Sequence, residues 1–418
     1  MVELRPTRPR KRRNRKSFTT KCSPGTQPRR GTRLAEMAVV NLPPQIPVAV
    51  FMTRFQPGGT ERQMTELIRR LDPARFTVHV ACFHREGAWL PRVAERAASI
   101  VEFPIRGFAK PGTARQFFSF ARWCRRERIA VVQTCDLYAN IFGLPAAALG
   151  GVPVRIGSRR ELNPDKSEAH IRLQRFAYRF ATKVVANSPA ARRILESEGL
   201  STGSIAVIPN GLDPGAFPKR SARPDVRTIV TVANLRPEKN HEALIAAAAL
   251  LVQRYPHLRF QFVGDGPRRQ ALEQLAVQRG VARHIEFLGH REDVPALLAA
   301  ADAFALPSRS EAFPNGAIEA MAAGLPVVAS AVGGLVDLID DGRTGLLVPP
   351  GDPEALALAL GTLINSPARA AALGRAARED VHRQYSFGRM IAAFTHLYSS
   401  DPRRRLSAGT HHAEAAGI

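Results

Sequence analysis

Two glutamates, Glu311 and Glu319, stand eight residues apart in the segment Leu306-Pro307-Ser308-Arg309-Ser310-Glu311-Ala312-Phe313-Pro314-Asn315-Gly316-Ala317-Ile318-Glu319. The spacing alone means little; the setting gives it weight. Ala303–Leu306 reads as a buried strand, and Glu311 follows it in a loop. Pro314 suits a helix start, because its missing N–H is not needed in the first turn. Asn315 and Gly316 then offer backbone N–H groups at the positive end of that helix, which suits a phosphate. Glu319 lies one turn further in. One carboxylate before a helix and one within it can grip the two ends of a sugar-bearing nucleotide. The same charges would also serve simply to complement the helix dipole.

Other residues offer chemistry after strand ends. Gly58-Gly59 precede a helical stretch, where a side chain would block close approach to the backbone; a plain helix-start turn has the same form. Ser158-Arg159-Arg160-Glu161 is expected to face a cleft, where the arginines would pair with a carboxylate or phosphate on an acceptor. A solvated charge cluster is the other reading. In Arg115–Arg126, Phe117, Phe120, Ala121 and Cys124 share one helical face. Such a basic amphipathic helix either packs that face on a sheet or lies on an anionic membrane. No Asp-x-Asp and no HExxH occurs, and the 11 histidines are scattered, so no metal site is expected. Cys22, Cys82, Cys124 and Cys135 are also scattered, which fits reduced thiols in a cytosol.

The elements that must position these residues are legible in the texture of the chain. Its 418 residues are 45% apolar and 23% charged, which suits two or three globular domains. The net charge is +24, and residues 1–36 hold twelve Lys/Arg against two Glu. That segment lacks apolar periodicity and reads as a disordered basic arm over 1–45. No apolar stretch follows it, so it is not a secretory signal, and Met37 is a possible alternative start. No run reaches the ~18–20 apolar residues of a membrane span; Ile141–Val154 is broken by Gly and Pro.

From Pro47 short apolar runs alternate with amphipathic stretches, which means βαβ units and a parallel sheet. Strands are expected at Val48–Met52, Thr77–Phe83, Ile100–Phe103, Ala130–Thr134, Val154–Gly157, Lys183–Ala186 and Ile205–Ile208. Helices are expected at Arg62–Leu71, Ala114–Arg126 and Ile171–Ala181. The pattern restarts with strands at Thr228–Ala233, Arg259–Val263, Ile285–Leu288, Ala303–Leu306, Pro326–Ala329 and Gly345–Val348. Its helices are His241–Arg254, Arg268–Arg279, Val294–Ala300, Asn315–Ala323 and Pro353–Ile364. The fold class is therefore α/β, with two doubly wound Rossmann-like domains facing a central cleft. The divisions are 46–212, a linker 213–226, 227–385, a C-terminal helix 386–400 and a tail 401–418. Ligands of such sheets bind outside the carboxyl ends of the strands.

The segment from Ser308 through Ala322-Ala323-Gly324-Leu325-Pro326-Val327-Val328-Ala329-Ser330 resembles the donor-site motif of retaining family-4 (group 1) glycosyltransferases. Further signposts follow in that family's order: Gly58-Gly59-Thr60-Glu61, Asn187-Ser188, Ile208-Pro209-Asn210-Gly211-Leu212-Asp213, and Arg236-Pro237-Glu238-Lys239-Asn240. Val263-Gly264-Asp265-Gly266-Pro267, Phe287-Leu288-Gly289-His290 and Asp340-Asp341-Gly342-Arg343-Thr344-Gly345-Leu346-Leu347-Val348 complete the set. The resemblance spans about residues 46–395. It implies the GT-B fold, with the C-terminal helix crossing back to the first domain.

The resemblance also implies roles. Glu311 would hold hydroxyls of the donor sugar and Glu319 the ribose. Gly58, Gly59, Leu288, Phe313, Asn315 and Gly316 would line the donor site, and Lys239 with Arg236 would clamp the diphosphate. Arg236 stands two residues past the usual arginine position, which Asn234 occupies. The family's histidine after the fourth strand is missing: Gln133 and Cys135 stand in its place, and either Asp136 takes part of its role or the chemistry runs without it. Cys135, Asp136 and Arg160 are placed at the acceptor side of the cleft. The implied activity is sugar transfer from a nucleotide-diphosphate sugar to a saccharide or lipid-linked acceptor, without cofactor or metal. A cytoplasmic protein, peripheral on the inner face of the cell membrane, is expected, with no specific nucleic-acid partner. A sugar-nucleotide epimerase of the same fold and a non-catalytic binding paralogue are the alternatives.

Overall fold

The computed structural model describes residues 45–108, 110–162, 167–218 and 225–400. The arm expected over 1–45, save Gln45, and the tail 401–418 lie outside these residues. The first half runs β1 (Ile46–Met52), α1 (Gly59–Arg70), β2 (Phe76–Cys82), α2 (Leu90–Ala94), β3 (Ser99–Glu102), α3 (Pro111–Arg126) and β4 (Val131–Thr134). It continues with α4 (Leu137–Leu149), β5 (Val154–Arg159), α5 (Glu168–Ala177), β6 (Lys183–Ala186), α6 (Pro189–Ser197) and β7 (Ile205–Val207). The second half runs β8 (Thr228–Val232), α7 (His241–Arg254), β9 (Arg259–Val263), α8 (Arg269–Gln278), β10 (Ile285–Gly289), α9 (Val294–Ala300) and β11 (Ala303–Leu306). It ends with α10 (Asn315–Ala323), β12 (Val327–Ser330), α11 (Gly334–Leu338), β13 (Leu346–Val348), α12 (Pro353–Asn365), α13 (Pro367–Gln384) and α14 (Phe387–Ser399).

The strands form two sheets, ordered β3-β2-β1-β4-β5-β6-β7 and β10-β9-β8-β11-β12-β13. Every pairing is parallel. This is the doubly wound arrangement expected of each domain. The order reverses between β1 and β4 and again between β8 and β11, the places where such sheets open a crevice for ligands.

Period-two alternation explains why the strands bury both faces. Along β1, Val48, Val50 and Met52 join the cluster that also holds Met64, Leu67 and Ile68 of α1, whereas Ala49 and Phe51 join the cluster of α3 and α4. Phe51 is fully buried, with ring centroids of Phe83 and Phe120 at 4.9 and 5.0 Å. In β11, Ala303 and Ala305 face the α7 and α12 side, while Phe304 and Leu306 face α10.

Several helices escaped the sequence pattern. The apolar stretch read as broken by Gly and Pro is the core helix α4, with Pro145 inside it. α2, α6, α11 and α13 were likewise not expected. On α3 the Phe120, Ala121 and Cys124 face packs into the core, and Phe118 is left exposed. Cys82, Cys124 and Cys135 are free and buried; Cys22 lies outside the described residues. Among the described residues no single helix is long and apolar enough to cross a membrane.

The chain crosses between the sheets twice, side by side. Leu212 N–H donates to Tyr385 O, and Phe387 N–H donates to Leu212 O, each at 2.9 Å. α14 then returns to the first half, where Phe387, Met390, Phe394 and Tyr398 complete the cluster built on β1 and β2.

Candidate functional site

At the β1/β4 reversal, Asp136 is the N-cap of α4. Its Oδ1 accepts from Thr53 Oγ1 at 2.8 Å and from Ala139 N–H at 2.9 Å, and its Oδ2 accepts from Thr53 N–H at 3.0 Å. Both oxygens are thus engaged in bracing the loop after β1. Asp136, which the sequence offers for part of the missing histidine's role, thus has a structural task at this place. Burial raises its carboxyl above the ordinary range. Cys135 stands in the wall of a small cavity with Thr60, Asp136, Ser158 and Arg160. No part of it is exposed, and burial pushes its thiol well above the usual value. A thiol held neutral in this way is a poor nucleophile.

The two arginines at the end of β5, Arg159 and Arg160, do not both face the cleft. Arg159 turns into the first half, where Nη2 meets Glu198 Oε1 at 2.8 Å and Nη1 donates to Gln174 Oε1 at 2.9 Å. A salt bridge in so buried a place fixes that side chain. Arg160 is 7% exposed, and its Nη1 donates to Asn210 Oδ1 at 2.8 Å. Asn210 Nδ2 in turn donates to Asn315 Oδ1 at 2.9 Å. Arg160 is therefore linked through Asn210 to the start of α10.

At the β8/β11 reversal, Arg236 precedes a short 3₁₀ turn, Pro237–Lys239. The Gly264-Asp265-Gly266-Pro267 turn braces this loop from below: Leu235 N–H donates to Asp265 O, and Arg268 N–H to Leu235 O, both at 3.0 Å. Lys239 Nζ meets Glu311 Oε1 at 2.7 Å, and Ser308 Oγ donates to the same oxygen at 2.8 Å. Glu311 is 5% exposed, so this carboxylate has its cation and hydroxyl partners where water is scarce. Asn240 anchors the loop by donating from Nδ2 to Pro307 O at 3.1 Å.

α10 meets α1 across the cleft. A methyl at Gly59 would come 2.5 Å from Asn315 Nδ2, so the two helices touch there. One turn on, Arg62 of α1 forms a salt bridge with Glu319 of α10. Gly316 packs against β8, where a Cβ would lie 2.3 Å from Val232 O. The Asn315 N–H, expected to be open to a phosphate, donates to Phe313 O at 3.1 Å. The Phe313 ring is 5.9 Å from that of Tyr385, and Leu288 is half-buried beside the same apolar cluster. A further tie lies along the cleft: Asp337 of α11 accepts from Ala190 N–H at 2.7 Å and from Arg193 at 3.0 Å, both on α6.

Glu61, in the first turn of α1, is a half-buried carboxyl raised to about 7. Burial is the main cause, with the charges of Asp136 and Glu161 adding to it and that of Arg236 opposing. Gly58, the N-cap of α1, packs on its Oε2. Glu61 and Arg62 also stand at this place, beyond the residues that the sequence pattern singles out. The available signal was their place in the first turn after Gly58-Gly59. Asn210 carries no local sign of its task, because its partner Asn315 is 105 residues away. Among the described residues no three His, Cys, Asp or Glu side chains gather in a metal-binding group.

Two parallel sheets with their order reversals opening on one cleft define a GT-B architecture. A family model for Glycosyltransferase Family 4 matches residues 57–216, and one for glycosyl transferases group 1 matches residues 215–380. Over 403 residues the chain is 30% identical to the D-inositol 3-phosphate glycosyltransferase of Salinispora tropica, covering 84% of this chain and 83% of that one. It is 33% identical over 214 residues to a glycogen synthase of Mycobacterium tuberculosis, covering 50% of this chain. That match spans about half of the relative's length, 52%. Anabaena Alr3699/HepE, solved in complex with UDP and glucose, has the same fold. Its TM-score is 0.75 at 22% identity, over 84% of this chain and 99% of that one. The chain belongs to the group 1, family 4 glycosyltransferases, enzymes that transfer sugars.

Proposed function

We propose that the protein moves a sugar from a nucleoside-diphosphate sugar to a hydroxyl of an acceptor and keeps the anomeric configuration. One observation carries this reading. Two buried carboxylates, Glu311 and Glu319, flank the start of α10 where both order reversals open on the cleft. In this proposal Glu311 receives donor-sugar hydroxyls and Glu319 the ribose diol. The backbone of Phe313–Gly316, with Gly58, Gly59 and Leu288, encloses the rest of the donor. HepE's complex with UDP and glucose supports a donor of that kind.

The C1–O bond to the diphosphate breaks first, and its electron pair leaves with the phosphate oxygen. Arg236 and Lys239 neutralise the charge that develops there. The acceptor oxygen attacks C1 from the same face, and its proton passes to the departing phosphate oxygen. No enzyme nucleophile is needed, which agrees with the buried, neutral Cys135 thiol. The proposal requires neither cofactor nor metal.

The acceptor is a saccharide or a lipid-linked saccharide, reached at the cytoplasmic face of the membrane. Exposed Phe118 on α3, a helix that also exposes Arg115, Arg122, Arg125 and Arg126, and exposed Leu173 and Phe176 on α5 support that location. Thermal shift of the purified chain against nucleoside diphosphates, followed by NMR of the product anomer, tests the reading. A saturating ligand at a hundredfold excess over Kd stabilises by about 2.7 kcal/mol. Transfer with retained configuration is expected. An inverted product would sink the mechanism, and an epimerised donor without transfer would favour the epimerase reading.

A further inference from the structure

The Arg62–Glu319 pair has no part in the reading above. Gly59 and Arg62 lie on one face of α1, three residues apart, and Asn315 and Glu319 lie on one face of α10, four apart. Gly59 touches Asn315 and Arg62 bonds Glu319, so the helices meet along these faces. The Glu319 side chain is 9% exposed, while that of Arg62 is 39% exposed. A buried carboxylate needs a partner, and here the guanidinium supplies it from the opposite side of the cleft.

Under the proposed function, Glu319 is also the partner of the ribose. A guanidinium bonded to a carboxylate is a stronger contact than one neutral hydroxyl makes. A nucleoside that takes the Glu319 oxygen bonded by Arg62 would trade a charged pair for neutral hydrogen bonds, and would strand Arg62. A diphosphate changes the balance. It would lie toward the start of α10, about one helical turn or 5.4 Å from Glu319. Arg62 is half-exposed and long enough to swing that far, and phosphate matches its planar fork as well as carboxylate does.

We propose that Arg62 is a specificity-determining residue of the donor site. It holds Glu319 in the unliganded protein and transfers to the diphosphate when the ribose takes Glu319. The exchange makes the site reject nucleosides and accept nucleoside diphosphates. This inference rests on the assignment of the ribose to Glu319.

Calorimetric titration of the full chain with uridine and with UDP tests it, with guanosine and GDP as a second pair. In Arg62→Gln, nucleoside affinity should rise severalfold while diphosphate affinity falls about tenfold, the loss of one charge-assisted contact. Opposite signs are the signature, because a merely structural role would weaken both ligands together. Affinities that move in the same direction, or do not move, overturn the proposal. Glu319→Gln separates the underlying assumption: it should weaken nucleoside and diphosphate alike. If it changes neither, the ribose assignment fails, whatever Arg62→Gln does.

Discussion

Acid should loosen this protein at His241, the first residue of α7, next to the loop that presents Lys239. The ring is 1% exposed, its centroid is 5.5 Å from that of Phe262, and neither ring nitrogen has a hydrogen-bond partner. Burial is the main reason its pKa falls from 6.5 to about 4; the Lys239 charge pushes the same way, and Glu242 opposes. Above pH 6.5 the ring is neutral both folded and unfolded, and stability is unaffected. Between pH 6.5 and 4 the unfolded chain takes up a proton that the folded chain refuses, so stability falls with pH. The full loss is about 3 kcal/mol, at 1.36 kcal/mol per pKa unit. Below pH 4 the folded ring protonates too and the loss levels off. Urea unfolding at intervals from pH 7.5 to 4, on the wild type and His241→Phe, isolates the effect from other titrating groups. The wild type should lose about 3 kcal/mol relative to His241→Phe between pH 7.5 and pH 4, whichever of the two is the more stable at pH 7.5. Curves that stay parallel to within about 0.5 kcal/mol would refute the reasoning.

Two further outcomes follow from the packing. Asp136→Ala removes the α4 cap and leaves Thr53 N–H without its acceptor, so stability should drop by about 1–3 kcal/mol in urea unfolding. At temperatures where the variant stays folded, its affinity for UDP should change less than that of Glu319→Gln. Gly316→Ala drives a methyl against Val232 O and forces α10 off β8. We expect a loss of about 1–3 kcal/mol in stability together with weaker nucleotide binding, read by melting with and without UDP.

Strands were the most legible part of the chain, because a sheet buried on both faces leaves runs such as Ile46–Met52 with every residue but one buried. Helix α4 was hidden by the residues that make it fit. Gly143 lets the helix approach Phe51 and Thr134, where a Cβ would lie within 2.9 Å of each. Gly143 and Pro145 read as breakers because local propensity says nothing of such packing. In the site, Glu311 and Lys239 could be placed by the loops that carry them, and the structure brings them together. Arg159 could not, since its partner Glu198 is 39 residues away and turns it inward. Arg62 sits in an amphipathic helix like any surface arginine; only the opposing α10 gives it a task.

The return of α14 has a consequence for how the polypeptide acquires its structure. Phe394 and Tyr398 are almost wholly buried against residues of β1 and α1, which are made more than 300 positions earlier. On the ribosome the first sheet is therefore held with an apolar groove uncovered until the last helix has emerged. The later sheet, whose core draws on α7 to α13, can close before it. Synthesis proceeds from the N-terminus, and domains usually mature in that order. Here the half translated first is the half completed last, and its waiting groove is the surface a chaperone would have to shield.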